Sequence, residues 1–223
     1  MKLCLLPPPG WLCSREAGHD GPCAATQGTD LGTQIREDSA KGAFRKLLQF
    51  VGEDPNRGGL LETPARMVKA WRFWTKGYAE DPIAVLKTFE DGGEVYDELV
   101  HVGHIPFYSQ CEHHLAPFFG EVFFGYIPDK KIVGLSKMNR LVDVFARRLQ
   151  VQERLTSQII DTFCGHLSPK GAGIVVRARH MCMESRGVCQ QGCMTTTAAF
   201  RGAIKEQPAA RAEFFSLTNA PRV

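Results

Sequence analysis

Two short segments, far apart in the chain, constrain its fold more than any other feature. The first is Ser109-Gln110-Cys111-Glu112-His113-His114. The second, about seventy residues later, is Arg179-His180-Met181-Cys182. Cys111 and His114 stand at i and i+3, so one helical turn or tight loop aims both at one point. His180 and Cys182 stand at i and i+2, and a strand over that segment sends both side chains to the same face. Two thiolates and one imidazole form a recurring catalytic zinc set, with a fourth position left for water. A fold that uses this set must bring the two segments together. His113 and His180 then come within reach of the metal-bound water, and a metal hydroxide flanked by proton carriers is machinery for hydrolysis. A single Cys or His is more often a packed core residue than a ligand, so the surrounding residues have to decide.

Composition permits a soluble enzyme and argues against other classes. A chain of 223 residues is long enough to bury a sizeable core in one catalytic domain. Hydrophobic residues make up 43% and charged residues 23%, ordinary for a globular protein. A formal net charge of +3 gives no case for nucleic acid or a membrane surface as partner. No apolar run approaches the roughly 20 residues that span a bilayer. The start, Met1 to Pro9, is too short and too proline-rich for a signal peptide. Eight cysteines could suggest secretion and disulfides, but cysteines standing beside histidines read instead as metal ligands in a reducing, cytoplasmic setting.

The chain divides into a Cys/Pro/Gly-rich leader (1–30), a helical region (31–90) and an α+β region (91–223), the last two forming one functional unit. In the helical region Phe44, Leu47, Leu48 and Val51 make an apolar stripe. Thr63 as N-cap and Pro64 at the first helical position open a helix through Met67, Val68, Trp71 and Trp74 towards Gly77. Further on, Val100 to Phe107 and Glu121 to Ile127 are strand-like. A short strand from Ile132 to Leu135 leads to Ser136 as an N-cap. The next helix places Leu141, Val142, Phe145 and Leu149 on one face. A second carries Leu155, Ile159, Phe163 and Leu167, and Ser168-Pro169-Lys170-Gly171 breaks it. Gly173 to Cys182 reads as a strand with Ile174, Val176, Ala178, His180 and Cys182 on one side. A last strand runs from Met194 to Phe200.

Several motifs, in order, resemble the GTP cyclohydrolase I family: Cys-Glu-His-His (111–114), Gly-Leu-Ser-Lys-Met-Asn-Arg (134–140), Gln-Val-Gln-Glu-Arg-Leu (150–155) and His-Met-Cys-Met-Glu-Ser-Arg-Gly (180–187). Upstream, Leu-Leu-Glu-Thr-Pro-Ala-Arg-Met-Val-Lys (60–69) is similar as well, so that the likeness covers residues 40–204. The resemblance implies the tunnelling fold, an antiparallel sheet with two helices between strand pairs, preceded by N-terminal helices. It also implies a toroidal homo-oligomer, usually a decamer, with active sites between subunits.

The resemblance further implies that Cys111, His114 and Cys182 bind zinc, the one cofactor, and that GTP is the substrate. Water activated by the metal opens the guanine imidazole ring, formate leaves, and the ribose rearranges and recloses as 7,8-dihydroneopterin triphosphate. His180 protonates the ring nitrogen and His113 assists proton transfer near the ribose or the departing group. Glu153 accepts from the guanine N–H donors, with Gln152 beside it. Ser136, Lys137, Arg140 and Arg186 hold the triphosphate, and Arg66 and Lys69 add to it. Glu112 fits the family pattern but receives no role. Cys189 and Cys193 depart from the pattern and read as loop thiols. Cys4, Cys13, His19 and Cys23 are foreign to the family core. They belong to a weakly ordered leader, with a small zinc site as the competing reading.

Two other function classes fit parts of the sequence. A tunnelling-fold nitrile reductase of deazapurine synthesis would use a nicotinamide cofactor and a covalent thioimide, and does not need the two-Cys, one-His set. A non-catalytic zinc-stabilised or purine-binding scaffold would bind GTP yet release no formate. Bound zinc and GTP-dependent formate release discriminate among the three.

Overall fold

Alternation of apolar side chains over residues 100–127 and 171–180 dictates the strands that dominate the computed structural model, which describes residues 11–13, 25–27, 30–89 and 96–221, with side chains from residue 36 onward. Two compact units divide it, Met1–Ala79 and Glu80–Val223. In the first, strands β1 (Trp11–Cys13) and β2 (Ala25–Gln27) pair antiparallel, followed by helices α1 (Asp30–Phe50) and α2 (Thr63–Trp74) and a 3-10 turn at Lys76–Ala79. Helix α2 begins one residue earlier than expected: Glu62 is the N-cap without a side-chain cap bond, and Thr63 is already helical ahead of Pro64. The apolar stripe is only partly covered, since Leu47 on α1 and Val51 just beyond its end are exposed. Cys4, His19 and Cys23, and the side chain of Cys13, lie outside the described residues.

The second unit runs β3 (Thr88–Phe89), β4 (Val100–Cys111), β5 (Pro117–Ile127), β6 (Ile132–Val133), α3 (Leu135–Ala146), β7 (Leu149–Gln150), α4 (Gln152–Leu167), β8 (Gly171–His180), α5 (Met181–Glu184), β9 (Thr195–Arg201), α6 (Gly202–Glu206) and α7 (Pro208–Thr218). Its main sheet has the order β7-β4-β5-β8-β9, antiparallel except for β7 beside β4. The architecture is thus α+β: a strand pair, two helices, a strand pair. At the centre, β5 and β8 approach so closely at Gly120 that a Cβ there would lie 1.9 Å from the Arg177 carbonyl oxygen.

The two faces of the sheet are covered differently. Ile174, Val176 and Ala178 of β8 face the main core, which they form with Phe118, Val122 and Phe124 of β5, Leu141, Val142 and Phe145 of α3, and Leu155, Ile159 and Phe163 of α4. The alternate residues Phe123 and Val175 pack under Ile204 and Phe214 of α6 and α7. Burying one such side chain stabilises by about 1.5–3 kcal/mol. No helix among the described residues is long and apolar enough to cross a membrane.

Four local expectations are corrected. Strand β8 ends at His180 because its antiparallel partner β5 begins there, with Phe118 opposite His180. Cys182 therefore lies on the helical turn α5, not on the strand. Helix α3 stops at Ala146, and Leu149 joins β7 beside Gln110. Gly134, not Ser136, caps α3. Strand β4, which contains Pro106, continues past Phe107 to Cys111.

Candidate functional site

The end of β4 delivers Cys111 into a tight turn. The Cys111 N–H donates to the Ala116 carbonyl at 2.8 Å, and the Leu115 N–H donates back to the Cys111 carbonyl at 2.8 Å. Leu115 takes up the left-handed conformation, φ 54°, that the turn requires. This folds residues 112–114 over the strand end and aims His114 back at Cys111, with Cys111 Sγ 4.0 Å from His114 Nδ1. His113 Nδ1 lies 3.9 Å from the same sulfur. On the neighbouring element, α5 presents Cys182. One donor atom each from Cys111, His114 and Cys182 lie within 4.8 Å of one another.

The donors fit a zinc-sized dication. Sulfur at about 2.3 Å and nitrogen at about 2.0–2.1 Å from a tetrahedral zinc lie roughly 3.5–3.8 Å apart. Burial, then the adjacent Cys111 sulfur, push the Cys182 thiol up. Two thiolates this close repel, and a dication between them removes that repulsion. Cys164 of α4 makes the contrast: burial pushes its thiol up to about 11, and among the described residues it belongs to no such cluster.

His180 stands beside this cluster with its orientation fixed. Its ring stacks flat on Phe118, centroids 4.8 Å apart and planes 2° from parallel. Its Nε2 lies 2.8 Å from Gln152 Oε1. Gln152 is 2% exposed. Its Nε2 donates to the carbonyls of Val176 at 3.0 Å and Thr195 at 3.1 Å, and to Thr197 Oγ1 at 3.2 Å. Carbonyl oxygens only accept, so the amide orientation of Gln152 is determined and its oxygen must face His180. The His180 Nε2 therefore carries a hydrogen, and Nδ1 is left to exchange a proton. Burial holds the His180 pKa below the ordinary imidazole range, with the Glu153 carboxylate pulling the other way.

Glu112, left without a role by the sequence, pairs with Arg154 of α4. Arg154 also donates through Nε to Gln150 Oε1 at 3.1 Å, and the Glu112 N–H donates to the Gln150 carbonyl at 3.0 Å. The Cys111–His114 turn is thereby tied to α4. The Arg154 guanidinium holds the Glu112 carboxyl below the usual carboxylate range. Neither link could be read from spacing, because Glu112 and Arg154 are 42 positions apart.

The structure thus brings Cys111, His113, His114 and Cys182 together, with His180 two residues from Cys182 and Glu153 within electrostatic reach of His180. Arg186 lies within electrostatic reach of Cys182. Ser136, Lys137 and Arg140 stand on the first turns of α3, Ser136 and Arg140 exposed and Lys137 half-buried. Among the described residues no hydrogen bond or ion pair ties them to the Cys/His cluster. Arg66 and Lys69 belong to α2 of the first unit, where Arg66 pairs with Glu62. Cys189 and Cys193 are exposed.

Comparison with known proteins gives a consistent result. A family model described as GTP cyclohydrolase I matches residues 40–219. The chain is 56% identical to a GTP cyclohydrolase 1 of Nitrosospira multiformis, over 80% of this chain and 94% of that relative. It is 55% identical to one of Janthinobacterium sp., over 81% and 91%. It is 53% identical to one of Corynebacterium glutamicum, over 82% and 94%. Among solved structures, the apo form of the archaeosine synthase QueF-Like superposes with a TM-score of 0.38 at 19% identity, covering 47% of this chain and 93% of that one.

Proposed function

Because the chain belongs to the GTP cyclohydrolase I family, we propose that its Cys/His cluster hydrolyses GTP to 7,8-dihydroneopterin triphosphate and formate. The observation that carries this reading is the convergence of Cys111, His114 and Cys182 donors within 4.8 Å. In this reading the three side chains hold one zinc ion, which when bound polarises water and brings its pKa to about 7.

The chain's own residues do the rest. His180, with Nε2–H committed to Gln152, moves a proton at Nδ1 to the imidazole-ring nitrogen of guanine. His113, exposed beside Cys111, moves a proton near the ribose or the departing formyl group. Glu153 accepts the guanine amino and ring N–H donors. Gln152, beside Glu153, acts in this reading through His180: its N–H groups are committed to Val176, Thr195 and Thr197, and its oxygen faces the imidazole. Ser136, Lys137, Arg140 and Arg186 hold the triphosphate, at the start of α3 and on the loop after α5, with Arg66 and Lys69 adding charge.

A tunnelling fold, a toroidal homodecamer with shared sites and a cytoplasmic setting complete the proposal. Strand β9 ends the sheet, and an open edge of this kind is suited to continue into a neighbouring subunit. The test is incubation of the purified full-length chain with GTP, following formate and the fluorescence of the oxidised pterin. Both should appear in equal amounts. Consumption of a nicotinamide cofactor without formate would favour a reductase, and GTP binding without formate a scaffold.

A further inference from the structure

We propose that the Arg179–Glu184 ion pair is a positioning device for Cys182, an inference that rests on reading Cys182 as a zinc ligand. The chain leaves the sheet at His180 and returns no hydrogen bonds to β5 beyond that point. It then makes a single helical turn, Met181–Glu184, with Cys182 in it. So short an element has no packing core of its own to fix it.

The ends of this corner are closed by side chains. Arg179 donates through Nε to Glu184 Oε1 at 2.8 Å and through Nη2 to Oε2. This two-bond fork sets angle as well as distance. Glu184 is 8% exposed, although Met183 and Ser185 on either side are exposed. The backbone N–H of Gly192 reaches the same carboxylate, drawing in the far side of the loop that carries Arg186. On the sheet, the Arg179 guanidinium lies over the Phe119 ring at 5.8 Å, and Phe119 stacks on Tyr108 at 5.4 Å. Tyr108, Phe119 and Arg179 are direct cross-strand neighbours on β4, β5 and β8. Arg179 is therefore fixed to the sheet face opposite His180, and Glu184 is fixed to Arg179. The fork thus holds Glu184, two residues on from Cys182, against the sheet, in addition to the packing of Cys182 on the main core. Neither residue touches the metal donors, so both act only through the placement of Cys182.

The experiment is zinc affinity by competition with a chromophoric chelator, on the full-length chain and on Glu184→Ala, Glu184→Gln and Arg179→Lys. Absorption spectra of the cobalt-substituted proteins are recorded alongside. Partners that orient metal ligands typically contribute about 10–100-fold in affinity. Glu184→Ala should weaken zinc by about that factor and alter the cobalt–thiolate bands. Arg179→Lys keeps the charge but loses the fork, and should weaken zinc nearly as much. Glu184→Gln keeps the shape and should fall between. The isosteric Gln and the Lys variants carry the test if Glu184→Ala does not fold. Wild-type zinc affinity and an unchanged cobalt spectrum in these variants would overturn the proposal, even with a lowered melting temperature. A wild-type chain that binds no zinc would overturn the underlying metal reading, and the proposal with it.

Discussion

Gln152 is the residue whose chemistry is most completely determined. Its amide meets three acceptors and one imidazole, and the acceptors leave only one way round for it. Gln152→Ala should leave GTP binding nearly unchanged while lowering kcat, by up to the about 10²–10⁴-fold that a positioned proton carrier contributes. Steady-state kinetics separate the possibilities: a raised KM with intact kcat would return Gln152 to direct guanine binding. The convergence of Cys111 and His114 was legible in the sequence because they are near neighbours and their spacing is a local constraint. The engagement of Gln152 was not, since its partners Val176, Thr195 and Thr197 come from two strands that only the folded sheet brings together. Glu112 had no legible role for the same reason, its partner Arg154 being brought close by β7.

At the level of elements, strands and helices with a clean period were readable: β5, α4 and β8 carry their apolar residues where alternation or helical spacing puts them. The misread positions are those decided by a neighbour. Strand β8 stops where β5 begins, and Leu149 is drawn off the helix by β4. Helices α6 and α7, beyond the last strand inferred from sequence, cover the second sheet face through Ile204 and Phe214. That face also holds His101, whose ring lies 5.6 Å from the Phe214 ring and whose Nε2 is 3.2 Å from Thr218 Oγ1. Burial, and then nearby His104, hold the His101 pKa below the ordinary imidazole range. The unfolded chain binds this proton more readily than the folded one. Stability from His101 is therefore present above the ordinary imidazole pKa and is lost as pH falls from there towards the lowered folded value. Denaturant midpoints measured across that interval should fall with pH, and His101→Gln should flatten the fall. An identical slope in the variant would remove His101 as the cause.

For the whole molecule, the sheet exists to bring two distant segments to one end of β4 and β8, and the helices α3 and α4 bury the face behind them. Family membership agrees with this arrangement and gives the reaction its name. The most direct measurement is zinc content per subunit and GTP-dependent formate release, determined on the same samples of wild type and Cys182→Ser. Wild type should hold one zinc per subunit and release formate, and Cys182→Ser should lose both together. Full zinc content in Cys182→Ser, or formate release from a zinc-free wild-type chain, would contradict the assignment of Cys111, His114 and Cys182 as the catalytic metal site.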